Sequence, residues 1–133
     1  MLKLMYLTAN AEAARRAQDA GADRIFVDLE YINKAERQRG RNTLISHNTV
    51  DDVQRVRSAI SDAQLLVRVN PMNPGLTAEV DAAVESGADI VMLPMIVDAD
   101  DVRGFVDAVG GRARTCLLLE TAQAFVRMDD IVD

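Results

Sequence analysis

Two hydrophobic patterns alternate along the chain. Continuous apolar runs at residues 2–8, 24–30, 64–70, 90–93 and 114–121 read as strands, and between them apolar residues recur at helical spacing. The helical stretches are 11–20, with Ala13, Ala14, Ala17 and Ala20 on one side; 50–61, striped by Val53, Val56 and Ile60; and 76–86, with Leu76, Val80, Ala83 and Val84 inward. Residues 99–109 form another, and a last helical segment from Ala122 carries Phe125, Val126, Met128 and Ile131. Asn10 and Asp98 stand at N-cap positions, and Thr49 followed by Asp52 makes a capping box. Gly21-Ala22-Asp23 and Gly87-Ala88-Asp89 repeat one helix-to-strand joint, with glycine where a helix end favours positive φ. Pro94 stops the fourth run, and Gly110-Gly111 ends the helix before the fifth.

This alternation calls for right-handed βαβ crossovers and a parallel sheet. The second run is apolar without in-out alternation until Asp28, as a parallel strand covered on both faces should be. An open doubly wound sheet for dinucleotides would carry a glycine fingerprint after its first strand, and Thr8-Ala9-Asn10 has none. Three runs instead end in polar chemistry: Asp28 and Glu30 after Ile25-Phe26-Val27, Arg68 and Asn70 after Leu65-Leu66-Val67, and Glu120 after Cys116-Leu117-Leu118-Leu119. Charges at the downstream ends of several strands belong to a (β/α)8 barrel. The expectation is an α/β fold, a parallel (β/α)8 TIM barrel cut to about five βα units, with residues 1–133 as one partial domain. The last run is expected to be a buried strand that positions Glu120.

Composition narrows the partners. A 49% hydrophobic content and three prolines in 133 residues fit a globular chain. The net charge of −6 and pI near 4.7 disfavour nucleic acid and anionic membranes. No apolar stretch reaches membrane-spanning length, and no signal peptide is recognisable, so a cytoplasmic location is expected. The single cysteine, Cys116, excludes an internal disulfide and reads as a small buried hydrophobe.

Residues 31–48 lose the hydrophobic pattern and are rich in charge, with Lys34, Glu36, Arg37, Arg39 and Arg41 around Gly40. Irregular segments of this length are often functional. The basic residues could grip a phosphate or coenzyme A tail, or form a solvated loop balanced by Glu36. Lys34 lacks the apolar setting of a Schiff-base lysine. His47, the only histidine, is a candidate general base near neutral pH. Arg68 is either a substrate anchor or an ion-pair partner of Asp28 or Glu30.

Taken in order, Asp28-Leu29-Glu30, Val67-Arg68-Val69-Asn70, Gly87-Ala88-Asp89, Leu93-Pro94-Met95 and Leu119-Glu120-Thr121 resemble the HpcH/HpaI aldolase and citrate lyase β-subunit superfamily across essentially the whole chain. The resemblance implies a barrel of the phosphoenolpyruvate/pyruvate type that makes or breaks a carbon-carbon bond through an enolate with Mg²⁺ or Mn²⁺. It implies Glu120 as metal ligand and Arg68 as the group holding a substrate carboxylate or enolate oxygen. Asp28 and Glu30 then serve the acid-base machinery, and Asn70, Pro94 and Met95 line the substrate. Hard oxygen donors select such cations, and the planar guanidinium fork suits a carboxylate.

The sequence also departs from the family's pattern. Tyr31 stands where the aldolases place a histidine, and Leu118 where they commonly have glutamine. Met95 matches the aldolase branch better than the citrate lyase branch. A second metal carboxylate, at the end of a sixth strand, is expected beyond Asp133. The expected function is a metal-dependent aldolase acting on an α-keto acid, with no nucleic-acid or membrane partner, as a homo-oligomer. The alternatives are a citryl-CoA or malyl-CoA type lyase, or an incomplete fragment serving as an interaction module.

Overall fold

Each of the five apolar runs contributes a strand: β1 (Met5–Leu7), β2 (Arg24–Asp28), β3 (Gln64–Arg68), β4 (Ile90–Leu93) and β5 (Arg114–Leu117). The structure, a computed structural model, describes residues 2–32 and 47–132. The strands form one parallel sheet in sequence order, β1-β2-β3-β4-β5. Between and after them lie α1 (Ala11–Asp19), α2 (Val50–Ala59), α3 (Leu76–Glu85), α4 (Ala99–Val109), α5 (Ala122–Val126) and α6 (Met128–Val132). Lys34, Glu36, Arg37, Arg39 and Arg41 lie outside the described residues.

The order has no reversal, so it lacks the switch point of a doubly wound sheet. The helices all pack against one face. There Ala14, Val53, Val56, Val80, Ala83 and Phe105 from the helices meet Ile25, Val27, Leu65, Val67, Val91 and Leu93 from the strands in one buried cluster. The opposite face carries a smaller cluster made by strands alone, Phe26, Leu66, Ile90 and Met92, with Cys116 and Leu118 against it. Among the described residues, helices on one side and strand side chains on the other make a segment of barrel wall with its inner surface.

The repeated Gly-Ala-Asp joint proves to be a register device. Asp23 donates its N–H to the Leu4 carbonyl at 2.9 Å, and its Oδ2 accepts the Leu4 N–H at 2.8 Å. Asp89 does the same to Leu65, at 2.9 and 2.7 Å. Each aspartate thus fixes the start of its own strand to the start of a neighbour, and Lys3 and Arg57 pair with the two carboxylates. Gly87 has φ of 92°, a conformation that favours glycine, and a Cβ there would sit 2.8 Å from the Arg57 side chain, which would have to shift to admit it.

Two expectations need correction. The last run is not a buried strand: β5 ends at Leu117, Arg114 and Thr115 are exposed, and so are Leu119 and Glu120. The reason is topological, since β5 is an edge strand with β4 as its one neighbour in the sheet. Likewise the last helical segment splits at Arg127 into α5 and α6, and it buries Ala124 and Ile131 while Phe125 and Val126 stay exposed. At the other edge, Met5, Tyr6 and Leu7 of β1 are exposed too.

The expected capping box is present. The Asp52 Oδ2 accepts the Thr49 N–H at 2.7 Å and the Thr49 hydroxyl at 3.0 Å. The Thr49 N–H is the main reason that the Asp52 carboxyl titrates below the ordinary aspartate range; Arg55 adds to this and burial opposes it. A depressed pKa means that the stabilisation is complete above the unfolded aspartate value and is lost as pH falls through the lowered folded value. Asp52→Asn should therefore cost about 1 kcal/mol at pH 7, with the gap to the native chain closing below about pH 4. Urea titrations across that range check this; a gap that does not change with pH contradicts it.

Candidate active site

Parallel registry sets Asp28 directly beside Arg68 at the downstream ends of β2 and β3. Arg68 Nε donates to Asp28 Oδ1 at 2.9 Å and Nη2 to Oδ2 at 2.8 Å, a two-point pair, while Nη2 also lies 3.3 Å from Glu30 Oε2. The guanidinium sits over the Phe26 ring, 5.5 Å from its centroid. The side chains of Asp28, Glu30 and Arg68 are only 6%, 3% and 17% exposed. The Asp28 carboxylate also accepts the Glu30 N–H, and the Asp28 carbonyl accepts Asn48 Nδ2 at 2.9 Å. Arg68 is held even more firmly protonated than usual, through its hydrogen bond to Asp28 and then the charges of Asp28, Glu30 and Glu120, against the effect of burial. Its Nη1 donates to none of the described residues.

Glu120 belongs to the same rim. Its Oε1 accepts the Met95 N–H at 3.1 Å, and Met95 takes φ of 56°, the left-handed region rarely entered by residues other than glycine. Thr121 completes the latch: its hydroxyl donates to the Ile96 carbonyl at 2.5 Å and accepts the Ala124 N–H at 3.0 Å as the cap of α5. The loop after β4 and the rim after β5 are thereby tied to each other, and the second carboxylate oxygen of Glu120 bonds to none of the described residues. Among those residues no three His, Cys, Asp or Glu side chains gather as a metal cluster.

The other expected site residues take different places. Asn70 is buried, and its Oδ1 accepts the Tyr31 and Ile32 N–H groups at 2.8 and 2.9 Å. Its Nδ2 and its own N–H both donate to Glu79 Oε2 at 3.0 Å. It is thus engaged in holding backbone. Pro94 is buried and Met95 half-buried, while His47 is exposed, next to the Asn48 that binds Asp28. Cys116 is half-buried, and burial pushes its thiol pKa up. Asn48 and Glu79 were not legible as site residues. Asn48 had no signal beyond lying next to His47, and a carboxylate in a first helical turn reads as a dipole complement. A wide concavity of about 670 Å³, lined by Leu4, Met5, Tyr6 and residues of α1, contains none of the rim charges; it lies along the exposed β1 edge.

A family model described as HpcH/HpaI aldolase/citrate lyase matches residues 3–133. Among solved structures, the chain is similar to the HpcH/HpaI aldolase of Desulfitobacterium hafniense DCB-2, at 17% identity and TM-score 0.68, over 98% of this chain and 56% of that one. It is similar to the citrate synthase SbnG at 13% identity and TM-score 0.72, over 97% and 55%. It is similar to the aldolase QR15 at 17% identity and TM-score 0.61, over 86% and 57%. Identities this low speak for the fold, and the chain spans just over half the length of each. Comparison with curated protein sequences found no match.

Removing one member of a buried ion pair leaves the other charge uncompensated. Arg68→Met should therefore destabilise the chain by about 3 kcal/mol in urea titration, whereas a loss below about 1 kcal/mol, as for an exposed pair, would contradict the buried geometry.

Proposed function

The chain belongs to the HpcH/HpaI aldolase/citrate lyase family, and from that premise we propose that its rim serves a divalent-metal-dependent lyase that cleaves a 4-hydroxy-2-keto acid through the enolate of pyruvate. One observation carries the reading. Arg68 is locked by Asp28 with its Nη1 uncommitted among the described residues, and the Glu120 carboxylate lies within its electrostatic influence.

The chemistry follows from those groups. Nη1 of Arg68 offers two N–H donors in a fixed plane, suited to one end of a substrate carboxylate. Its charge also favours the negative charge that develops as the bond breaks. In retro-aldol cleavage a base removes the 4-hydroxyl proton, the C3–C4 bond breaks, an aldehyde departs, and the electron pair passes to the keto oxygen as an enolate. Protonation of the enolate at C3 yields pyruvate. Glu30, buried beside Arg68, and His47, exposed and next in sequence to the Asn48 that binds the Asp28 carbonyl, are the candidate proton carriers.

Glu120 fits one position in the coordination shell of Mg²⁺ or Mn²⁺: it is a hard oxygen donor, exposed at the rim, and among the described residues it is held through one of its oxygens. It is one ligand and not a complete shell, because the described residues supply no cluster around it. When bound, such a cation supplies Lewis-acid stabilisation of the enolate charge.

The exposed residues of the β1 and β5 edges favour a second reading, in which the chain serves as an interaction module that associates through its sheet edges. No helix among the described residues is long and apolar enough to cross a membrane.

The lyase reading is tested by following pyruvate release from a 4-hydroxy-2-keto acid with Mg²⁺ or Mn²⁺, together with Mn²⁺ binding by the native chain and Glu120→Gln. The expected result is metal-dependent release and at least tenfold weaker Mn²⁺ binding by the variant, as for loss of a ligating carboxylate. No release with either metal, and unchanged Mn²⁺ affinity in Glu120→Gln, would overturn it.

A further inference from the structure

Regular pairing between β2 and β3 continues one step beyond the strands, where the Leu29 N–H donates to the Arg68 carbonyl at 2.9 Å. Beyond that point the ladder is carried by a side chain. Asn70 Oδ1 accepts both the Tyr31 and the Ile32 N–H groups, the two residues that follow Glu30. A buried amide can hold backbone in this way only if its own orientation is fixed, and Glu79 fixes it. One Glu79 oxygen takes both the Asn70 side-chain and main-chain donors, and the other takes Asn73 Nδ2 at 3.1 Å. Charge-assisted bonds of this kind are stronger than neutral ones. They also remove the ambiguity of the amide, since a flipped Asn70 would turn its NH2 group toward the two N–H donors.

We propose that Glu79, acting through Asn70, is a positioning residue for the rim: it pins the backbone at Tyr31 and Ile32 and so sets Glu30 against Arg68. The proposal rests on the reading of Arg68 as the substrate anchor only for its catalytic consequence. The mechanical chain runs from the first turn of α3 through Asn70 to the segment after β2, and ends on the 3.3 Å contact between Glu30 and Arg68. Asn73, bonded to the far oxygen of Glu79 and to the Pro71 carbonyl, belongs to the turn before α3 and lies off this path.

The test is made on the native chain by amide hydrogen exchange and by the NMR resonance of the Arg68 Nε–H. Glu79→Ala should speed exchange of the Tyr31 and Ile32 amides at least tenfold and shift the Arg68 resonance, with protection of Val27 and Val67 retained. Asn70→Ala should do the same, and the double variant should add nothing further, the signature of one shared path. Asn73→Ala should leave the Tyr31, Ile32 and Arg68 signals where they are. If Glu79→Ala does not fold, Glu79→Gln, which keeps an acceptor toward Asn70 without the charge, should give a smaller change in the same direction. Additive effects of Glu79→Ala and Asn70→Ala, or an Arg68 resonance unmoved by either, would overturn the proposal. Pyruvate titration in the presence of Mn²⁺ separates the two readings. Shifts as described in a chain that binds no pyruvate uphold the positioning role and count against the lyase, whereas pyruvate binding left unchanged by Glu79→Ala, with Arg68 unmoved, does the reverse.

Discussion

The pairing of Arg68 with Asp28 across neighbouring strand ends is the constraint on which the rest of the rim depends. A guanidinium and two carboxylates taken largely out of water are costly unless geometry compensates, and here it does, through two parallel hydrogen bonds, a third charge from Glu30 and a ring beneath. The parallel register of β2 and β3 makes that geometry possible, since a slip of one residue would send one partner to the helix-covered face. The Gly-Ala-Asp joints guard registers of this kind at the opposite ends of the strands. Asp23 ties β2 to the chain entering β1, and Asp89 ties β4 to β3. Upstream and downstream ends of the sheet are thus both fixed by side chains that depend on the strand registers.

Around that pair, among the described residues, side chains that bind backbone brace the end of β2, the segment after it and the loop after β4. Asn48 holds the Asp28 carbonyl, Asn70 holds the amides after Glu30, Glu120 holds Met95, and Thr121 holds Ile96. Met95 accepts an unfavourable left-handed backbone in this arrangement, a cost of order 1–3 kcal/mol that persists only where the surroundings over-determine it. Glu120 is in this sense both a brace and a candidate ligand, using one oxygen for each purpose. Arg68 and Glu120 are thereby each held at the downstream end of the sheet, and the charge of Glu120 reaches the guanidinium.

The strands, helices and joints were legible because burial on a parallel sheet writes continuous apolar runs and because caps use few residue types. Asp28, Glu30 and Arg68 were legible as charges that interrupt such runs, and the structure brings them within bonding distance. Hydrophobicity alone misread β5, because Cys116 to Leu119 is as apolar as a central strand although it lies at an edge. Asn70 is expected beside the substrate from the family resemblance alone; its hold on backbone runs to residues 39 and 38 positions earlier, which no local pattern encodes. Glu79 was invisible for the same reason: its role exists only once the turn at Pro71 to Gly75 folds α3 back toward Asn70.

The role proposed for the Arg68 guanidinium, held by Asp28, is to receive a planar carboxylate beside a metal at Glu120. Oxalate, which mimics the enolate of pyruvate in shape and charge, tests it most directly by calorimetry at saturating Mn²⁺. Oxalate should bind the native chain and bind at least tenfold more weakly to Arg68→Lys, which keeps the charge but loses the planar fork. Equal affinity for oxalate in the two proteins would contradict it.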